Sequence, residues 1–308
     1  MPDRIPLLID TDPGVDDAWA LLMAFASPAH RLLGLTVTAG NVGLDHTVRN
    51  ALKLCEVAGV ELPVFPGCPV PLVHPAGDAA YVHGRDGFGD TAYLPPVRPP
   101  EAEHAALAMI RLSRAHPGLL LVCLGPLTNL ALALRLDPGL PARIGRLVVM
   151  GGAVTGQGNT SVSAEFNIGF DPEAAHVVFE AFESFDLVDW EAVLRHGLPH
   201  DEVERWFGEG GPKAAFYAAI SRRTREWSED RRGQLWHCAD GLAMLAALEP
   251  EAVTGWTRRP VAVETGGRLA RGTTIVDWGN RSGRPARARI LGGVDPARFH
   301  HWLRLALA

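Results

Sequence analysis

Four carboxylates, Asp10, Asp12, Asp16 and Asp17, fall within eight residues of the segment LLIDTDPGVDDAWALL, Leu7 to Leu22. They stand between an apolar run and the first turn of a segment with helical apolar spacing. Like charges this close repel one another, and a carboxylate out of water is costly unless it is paired or metal-bound. Capping a helix needs one or two acids, not four. A hard divalent cation with oxygen ligands would remove the repulsion. With no histidine or cysteine among the four, calcium or magnesium suits the set better than zinc.

Such a cluster needs a scaffold, and the flanking segments supply one. IPLLID reads as a buried strand, and DDAWALLMAFAS (Asp16 to Ser27) as a helix with acids in its first turn. RLLGLTVTAG, GLLLVCLG and RLVVMGG read as further strands. HTVRNALKLCEVAG, LTNLALALRL and DPEAAHVVFEAF read as the helices that follow them. Strands alternating with helices predict an α/β fold with a mainly parallel central sheet flanked by helices. In such sheets ligands bind at the carboxyl ends of the strands. Polar clusters sit at four such ends: the aspartates, Ala39 to Asn41, Gly125 to Asn129, and Gly151 to Asn167. Near the C-terminus PVAVETGG and GTTIVDW read as a hairpin-type pair, and DPARFHHWLRLAL as a closing helix. Asp171 reads as an N-cap with Pro172 in the first helical position.

No linker, repeat or low-complexity tract divides the 308 residues, so residues 1–308 read as a single domain. Residues 66–100 form a Pro/Gly-rich excursion with eight prolines and five glycines. It contains HGRDGFG and is expected to be an active-site loop. The formal charge of −6 argues against nucleic acid as a partner. The one basic cluster, SRRTREWSEDRRG (Ser221 to Gly233), is broken by acids and reads as a solvated helix face. Four cysteines without C-x-x-C spacing give no zinc site or disulfide framework, and Cys55 and Cys123 read as core thiols. No apolar run approaches the ~18 residues of a membrane span, and no basic-then-apolar leader is evident. The expected compartment is the cytoplasm, with no membrane partner.

Beyond these features the chain resembles the nucleoside hydrolases of the inosine-uridine-preferring type. The resemblance begins at DTDPGVDDAWALL. It continues through TAGNVGLDHTVRNA, VHGRDGFG, LGPLTNLALALRLDP, VVMGGAVTGQGN, AEFNIGFDPEAA and ETGGRLARGTTIVD, in the family's order over nearly the whole chain. It implies a Rossmann-like nucleoside hydrolase fold and an enzyme that splits ribonucleosides into ribose and free base, in nucleoside salvage. It implies a Ca2+ ion held by Asp12, Asp17, Asp240 and the backbone carbonyl of Thr128. Asp12 would also be the general base for the metal-bound water. Asp16, Asn41, Asn159, Glu165 and Asn167 would bind the ribose hydroxyls, and His83 would lie near the base and the ribose 5′ side. Asp10 would orient its neighbours from behind. The family also implies a homodimer or homotetramer. D-x-D after a strand opens the haloacid-dehalogenase phosphatases as well, but those usually carry Thr or Val where this chain has Gly14.

One departure stands out. Many members have His-Asp-Pro near the end, the histidine serving as acid for the leaving base. Here Asp240 is preceded by Ala239 and followed by Gly241. His237 and Cys238 are the nearby alternatives, and Trp227 and Trp236 are candidates for stacking on the base. The loss of the usual acid also admits a ribose- or nucleoside-binding protein with weak turnover.

Overall fold

Short buried runs alternate with amphipathic ones, and each pair folds back as a strand and a covering helix. The computed structural model describes residues 4–233 and 235–308. In chain order the first half comprises β1 (Ile5–Thr11), α1 (Val15–Phe25), β2 (His30–Val37), α2 (Leu44–Ala58), β3 (Val64–Pro66), α3 (Ala80–His83), α4 (Ala105–Ala115), β4 (Leu119–Cys123), α5 (Thr128–Leu136) and β5 (Ile144–Met150). There follow α6 (Phe166–Phe170), α7 (Pro172–Ala181), β6 (Phe185–Val188), α8 (Trp190–Arg195), β7 (Leu198–Pro199), α9 (His200–Glu209) and α10 (Pro212–Arg232). The chain closes with β8 (Leu235–Trp236), α11 (Ala239–Leu248), β9 (Val253–Arg259), β10 (Val261–Val263), β11 (Thr274–Val276), β12 (Ala288–Val294) and α12 (Pro296–Leu307).

Eight strands form one sheet in the order β3-β2-β1-β4-β5-β6-β12-β9. All neighbours run parallel except β9, which lies antiparallel to β12. The order reverses between β1 and β4, the place where a doubly wound sheet opens a crevice at its carboxyl edge. Alternate residues of each strand enter opposite cores. Leu7 and Ile9 pack with Trp19, Leu22 and the buried face of α11, whereas Leu8 packs with α4, α5 and α7.

The expected strand–helix pairs are present, within two or three residues at their ends. Gly59 ends α2 in the left-handed region at φ +66°. Asp171 caps α7 by accepting from Ala174 N at 3.0 Å, with Pro172 following. β10 and β11 pair antiparallel as expected. The sequence does not announce β3, β6, β9 and β12: β3 and β6 have three and four residues, too few for a periodic signal. All four cysteines are free and buried. Among the described residues no helix is long and apolar enough to cross a membrane.

The basic cluster departs from expectation. It lies on α10, and Arg222, Arg223, Glu226, Glu229, Asp230 and Arg231 are exposed, but Ser221, Thr224 and Ser228 are buried. The helix is two-faced because its other side is laid over the crevice. Arg223 pairs with Asp90 at 2.6 Å, and the Thr224 hydroxyl donates to Val82 O at 2.9 Å. A Cβ at Gly89 would stand 2.5 Å from Ile220 O, so only glycine permits this closeness of loop and helix.

Candidate active site

The carboxyl edges of β1, β2, β4 and β5 and the N-termini of α1, α6 and α11 converge on one cavity. It holds about 780 Å3 of empty volume, counting its open mouth. Its floor is acidic. Asp16 and Asp240 line it, and their carboxylate oxygens lie within 4.8 Å of each other and of one from Asp17 just below. Asp17 is the third residue of α1 and caps it, accepting from Gly14 N at 3.0 Å. It also accepts from the Thr11 hydroxyl at 2.5 Å and from Asn41 Nδ2 at 2.9 Å. Helix capping and clustering are thus combined in one side chain.

Asp12 lies just beneath this floor, and its Oδ2 accepts from Asn41 N at 2.7 Å. A Cβ at Gly40 would come within 2.1 Å of its Oδ2, and one at Gly125 within 2.2 Å of its Oδ1. Two strand-end glycines therefore form a slot around the carboxylate. Behind it Asp10 is fully buried and accepts from Asn129 Nδ2 at 2.9 Å and the Thr36 hydroxyl at 2.8 Å. Thr128 opens α5 and donates its hydroxyl to Asp171 at 2.8 Å.

The electrostatics follow from this crowding. Burial, then the charge of Asp17, pushes the Asp12 carboxyl well above the usual carboxylate range. Burial and Asp16 do the same to Asp240 and also raise Asp17, and burial lifts Asp10 to about 7. All are carboxyls crowded out of water, and a bound cation would reverse these upward shifts. The donor set is hard oxygen throughout, which fits a divalent cation of the calcium or magnesium class.

One wall carries amides and a carboxylate. Asn167 uses both hydrogens of its amide on Leu124 O (2.6 Å) and Met150 O (3.2 Å). Asn41 uses both of its own on Asp12 O (3.1 Å) and Asp17. What each can offer a ligand is its carbonyl oxygen, an acceptor for a hydroxyl. Glu165 caps α6 by accepting from Asn167 N and Ile168 N, and also takes Gly152 N at 2.8 Å. Asn159 accepts from Phe166 N at 2.8 Å. These residues hold their own loop as well as facing the cavity. Beside Asn41, across Gly14, His83 Nδ1 accepts from Val15 N at 3.1 Å. That bond places the proton of the neutral ring on Nε2 and makes it a donor.

The far end of the cavity is aromatic. Tyr81 and Trp227 meet edge-on at 6.1 Å, and Trp190 lies 6.0 Å from His237. Trp236 and His237 both line the cavity, as does Ala239, which offers no acid. Cys238 does not reach it: the thiol is buried below, where desolvation pushes it far above its usual range. Of the remaining candidates, Asp16, Asn41, His83, Asn159, Glu165, Asn167, Trp227 and Asp240 line the cavity, while Asp10, Asp12, Asp17 and Thr128 lie beneath the lining. The sequence does not single out Tyr81, Trp190, Thr224 or Ser228, which also line it. Thr224, Trp227 and Ser228 share one face of α10 at helical spacing, a signal masked by the surrounding charges. Trp190 follows a strand end that is too short to recognise.

Comparison with known proteins agrees with this geometry. Residues 7–301 match the family described as inosine-uridine preferring nucleoside hydrolase. The chain is 37% identical over 309 residues to a non-specific ribonucleoside hydrolase (RihC) of Klebsiella pneumoniae, covering 99% of both. It is 36% identical over 279 residues to uridine nucleosidase 1 of Arabidopsis thaliana, covering 89% of this chain and 82% of that one. A solved inosine-guanosine nucleoside hydrolase superposes with a TM-score of 0.91 at 31% identity, covering 98% of both chains.

Proposed function

This chain belongs to the nucleoside hydrolases, enzymes that hydrolyse the N-glycosidic bond of nucleosides, and on that premise we propose a calcium-dependent ribonucleoside hydrolase with Asp12 as general base. The observation that carries this reading is the acidic floor, joined to hydroxyl acceptors in one cavity. Asp17, Asp240, Asp12 and the carbonyl of Thr128 would hold the ion, with Asp16 close enough to share the site. When bound, the ion would neutralise the floor and acidify a water molecule.

The chain's own groups then have distinct tasks. Asp12, its carboxylate held in the Gly40–Gly125 slot and ionised once the cation offsets its neighbours, takes a proton from the attacking water. Asn41, Asn159, Glu165, Asn167 and Asp16 bind the ribose hydroxyls and orient the anomeric carbon. Ribose is flattened toward an oxocarbenium ion as the bond to the base breaks. His83 presents Nε2–H to the ligand, Asp10 ties β1 to β2 and α5 through Thr36 and Asn129, and residues 66–100 serve as the active-site loop. Trp227, Trp236 and His237 surround the base. The relatives named above act on uridine, on inosine and guanosine, or non-specifically, so the base is the variable part. The enzyme is expected to be a cytoplasmic homodimer or homotetramer.

The test is release of ribose as reducing sugar from a panel of purine and pyrimidine ribonucleosides with added calcium, run beside Asp12→Asn. Release that is lost in the variant supports both assignments. No release from any member of the panel sinks the ribonucleoside hydrolase.

A further inference from the structure

The loop that carries the sugar-binding wall hangs from a residue outside it. Glu191, the second residue of α8, is buried and accepts four hydrogen bonds from residues 154–157. Its Oε2 takes Val154 N at 2.5 Å. Its Oε1 takes Thr155 N and the Thr155 hydroxyl, each at 2.8 Å, and Gln157 N at 3.1 Å. Trp190 N adds a bond to Gly152 O at 2.8 Å. The same stretch leads directly into Asn159, and Glu165 closes its far end through Gly152 N. One carboxylate thus gathers the backbone between β5 and the first sugar contact.

Asp189 stands behind it. Its Oδ1 accepts from Glu191 N at 3.0 Å and Ala192 N at 3.1 Å. Its Oδ2 is buried with no donor facing it, and the group beside it is the Glu191 carboxyl. Two carboxyls side by side out of water hold one proton between them. We propose that Glu191 is a positioning residue for the sugar-binding loop, and that the proton it shares with Asp189 makes sugar binding weaken as pH rises.

The direction follows from which group keeps the proton. Burial, then Glu191, lifts Asp189 to about 7. Burial acts to raise Glu191 too, but the bonds from Asp189 and the loop outweigh it and hold that carboxyl low. Near neutrality Asp189 is the acid and Glu191 the acceptor. Above that point both are ionised, and repulsion loosens one of them. Arg195 is the cation that moderates this. The other titratable groups nearby are Glu165, engaged with Gly152 N, His196, engaged with Ala192 O and Val294 N, and His237 beside Trp190. From β12 the facing stretch, residues 290–294, offers none.

The inference rests on the hydrolase assignment only for its substrate. The experiment is KM and kcat of wild type, Glu191→Ala and Asp189→Asn at saturating calcium from about pH 6 to about pH 8.5, with ribose affinity by calorimetry alongside. Wild-type KM should rise about tenfold across that range, as one titrating group allows. Asp189→Asn keeps a donor toward Glu191 at every pH, so its KM should stay near the low-pH wild-type value. Glu191→Ala should raise KM about tenfold with kcat within about threefold, a loss of binding rather than chemistry. A wild-type KM that is flat with pH, or an unchanged KM in Glu191→Ala, overturns the proposal. If Glu191→Ala fails to fold, the wild-type and Asp189→Asn profiles decide. If wild type releases no ribose, the hydrolase assignment fails, and the same three shifts are read in the ribose dissociation constant.

Discussion

The two ends of the cavity are built on opposite principles. The sugar end is polar, and its side chains sit in dense networks: Asp17 receives bonds from Thr11, Gly14 and Asn41, and Asn167 spends its amide on Leu124 and Met150. It grows from strand ends whose positions the sheet dictates. The end proposed for the base carries Tyr81, Trp190, Trp227, Trp236 and His237, where Tyr81 meets Trp227 and Trp190 meets His237 ring to ring. Ring contacts tolerate displacement, whereas a hydrogen bond weakens steeply with angle. The proposed function accordingly puts the shared chemistry at the rigid end and the choice of base at the adaptable one.

The strongest way to break this contrast is Asp12→Asn. Loss of a general base should lower kcat by about 10³-fold while ribose affinity changes little. A variant retaining a tenth of the activity would place the base elsewhere.

Removing the cation should abolish turnover, and its restoration should depend on pH in a defined direction. Asp12, Asp17 and Asp240 have raised carboxyls, so the ion-free protein carries protons there that the unfolded chain sheds near pH 4. Its stability from these groups is present at low pH and is lost as pH rises through their folded values. A bound cation displaces those protons, so calcium should stabilise most at high pH. At a hundred times the dissociation constant the gain is about 2.7 kcal/mol. Melting curves with chelator and with calcium at several pH values would show a widening gap. A gap that narrows with rising pH would contradict the acidic floor as the site.

Gly125→Ala sharpens the same end. The new Cβ would intrude on Asp12 Oδ1 and shift the carboxylate, at a cost of about 10²-fold in kcat/KM. Full activity would show that the slot is not needed to aim Asp12. The smallest effect is expected at the base end. Trp227→Ala should change the ratio of kcat/KM between a purine and a pyrimidine ribonucleoside by about tenfold, with ribose affinity untouched. Equal losses on every nucleoside would mean that Trp227 supports the fold rather than choosing the base.

The same contrast divides what could be read in advance from what could not. The aspartates, Asn41, Asn159, Glu165 and Asn167 follow strands or open helices, so local patterns locate them on one edge. Asp171 shows the limit of that logic. It was legible as a cap, but its second oxygen also ties Thr128 and Leu72 to α7, a link spanning 99 residues. Ala80 to His83 and the face of α10 are some 140 residues apart in sequence, joined by Thr224 with Val82 and Arg223 with Asp90. Charge along α10 from Ser221 onward predicts solvent, whereas Ser221, Thr224 and Ser228 are turned inward, Thr224 through its bond to the loop.

The sequence by itself therefore determined the alternation of strand and helix, the acidic motif and the family, because each rests on short-range periodicity or contiguous residues. Only the tertiary structure decided that Asp16 joins Asp17 and Asp240, that Asp12 lies in a glycine slot, that Cys238 is turned away, and that Glu191 gathers the backbone of residues 154–157. Those outcomes depend on distances between groups remote in sequence and on their removal from water, and neither is encoded in local pattern.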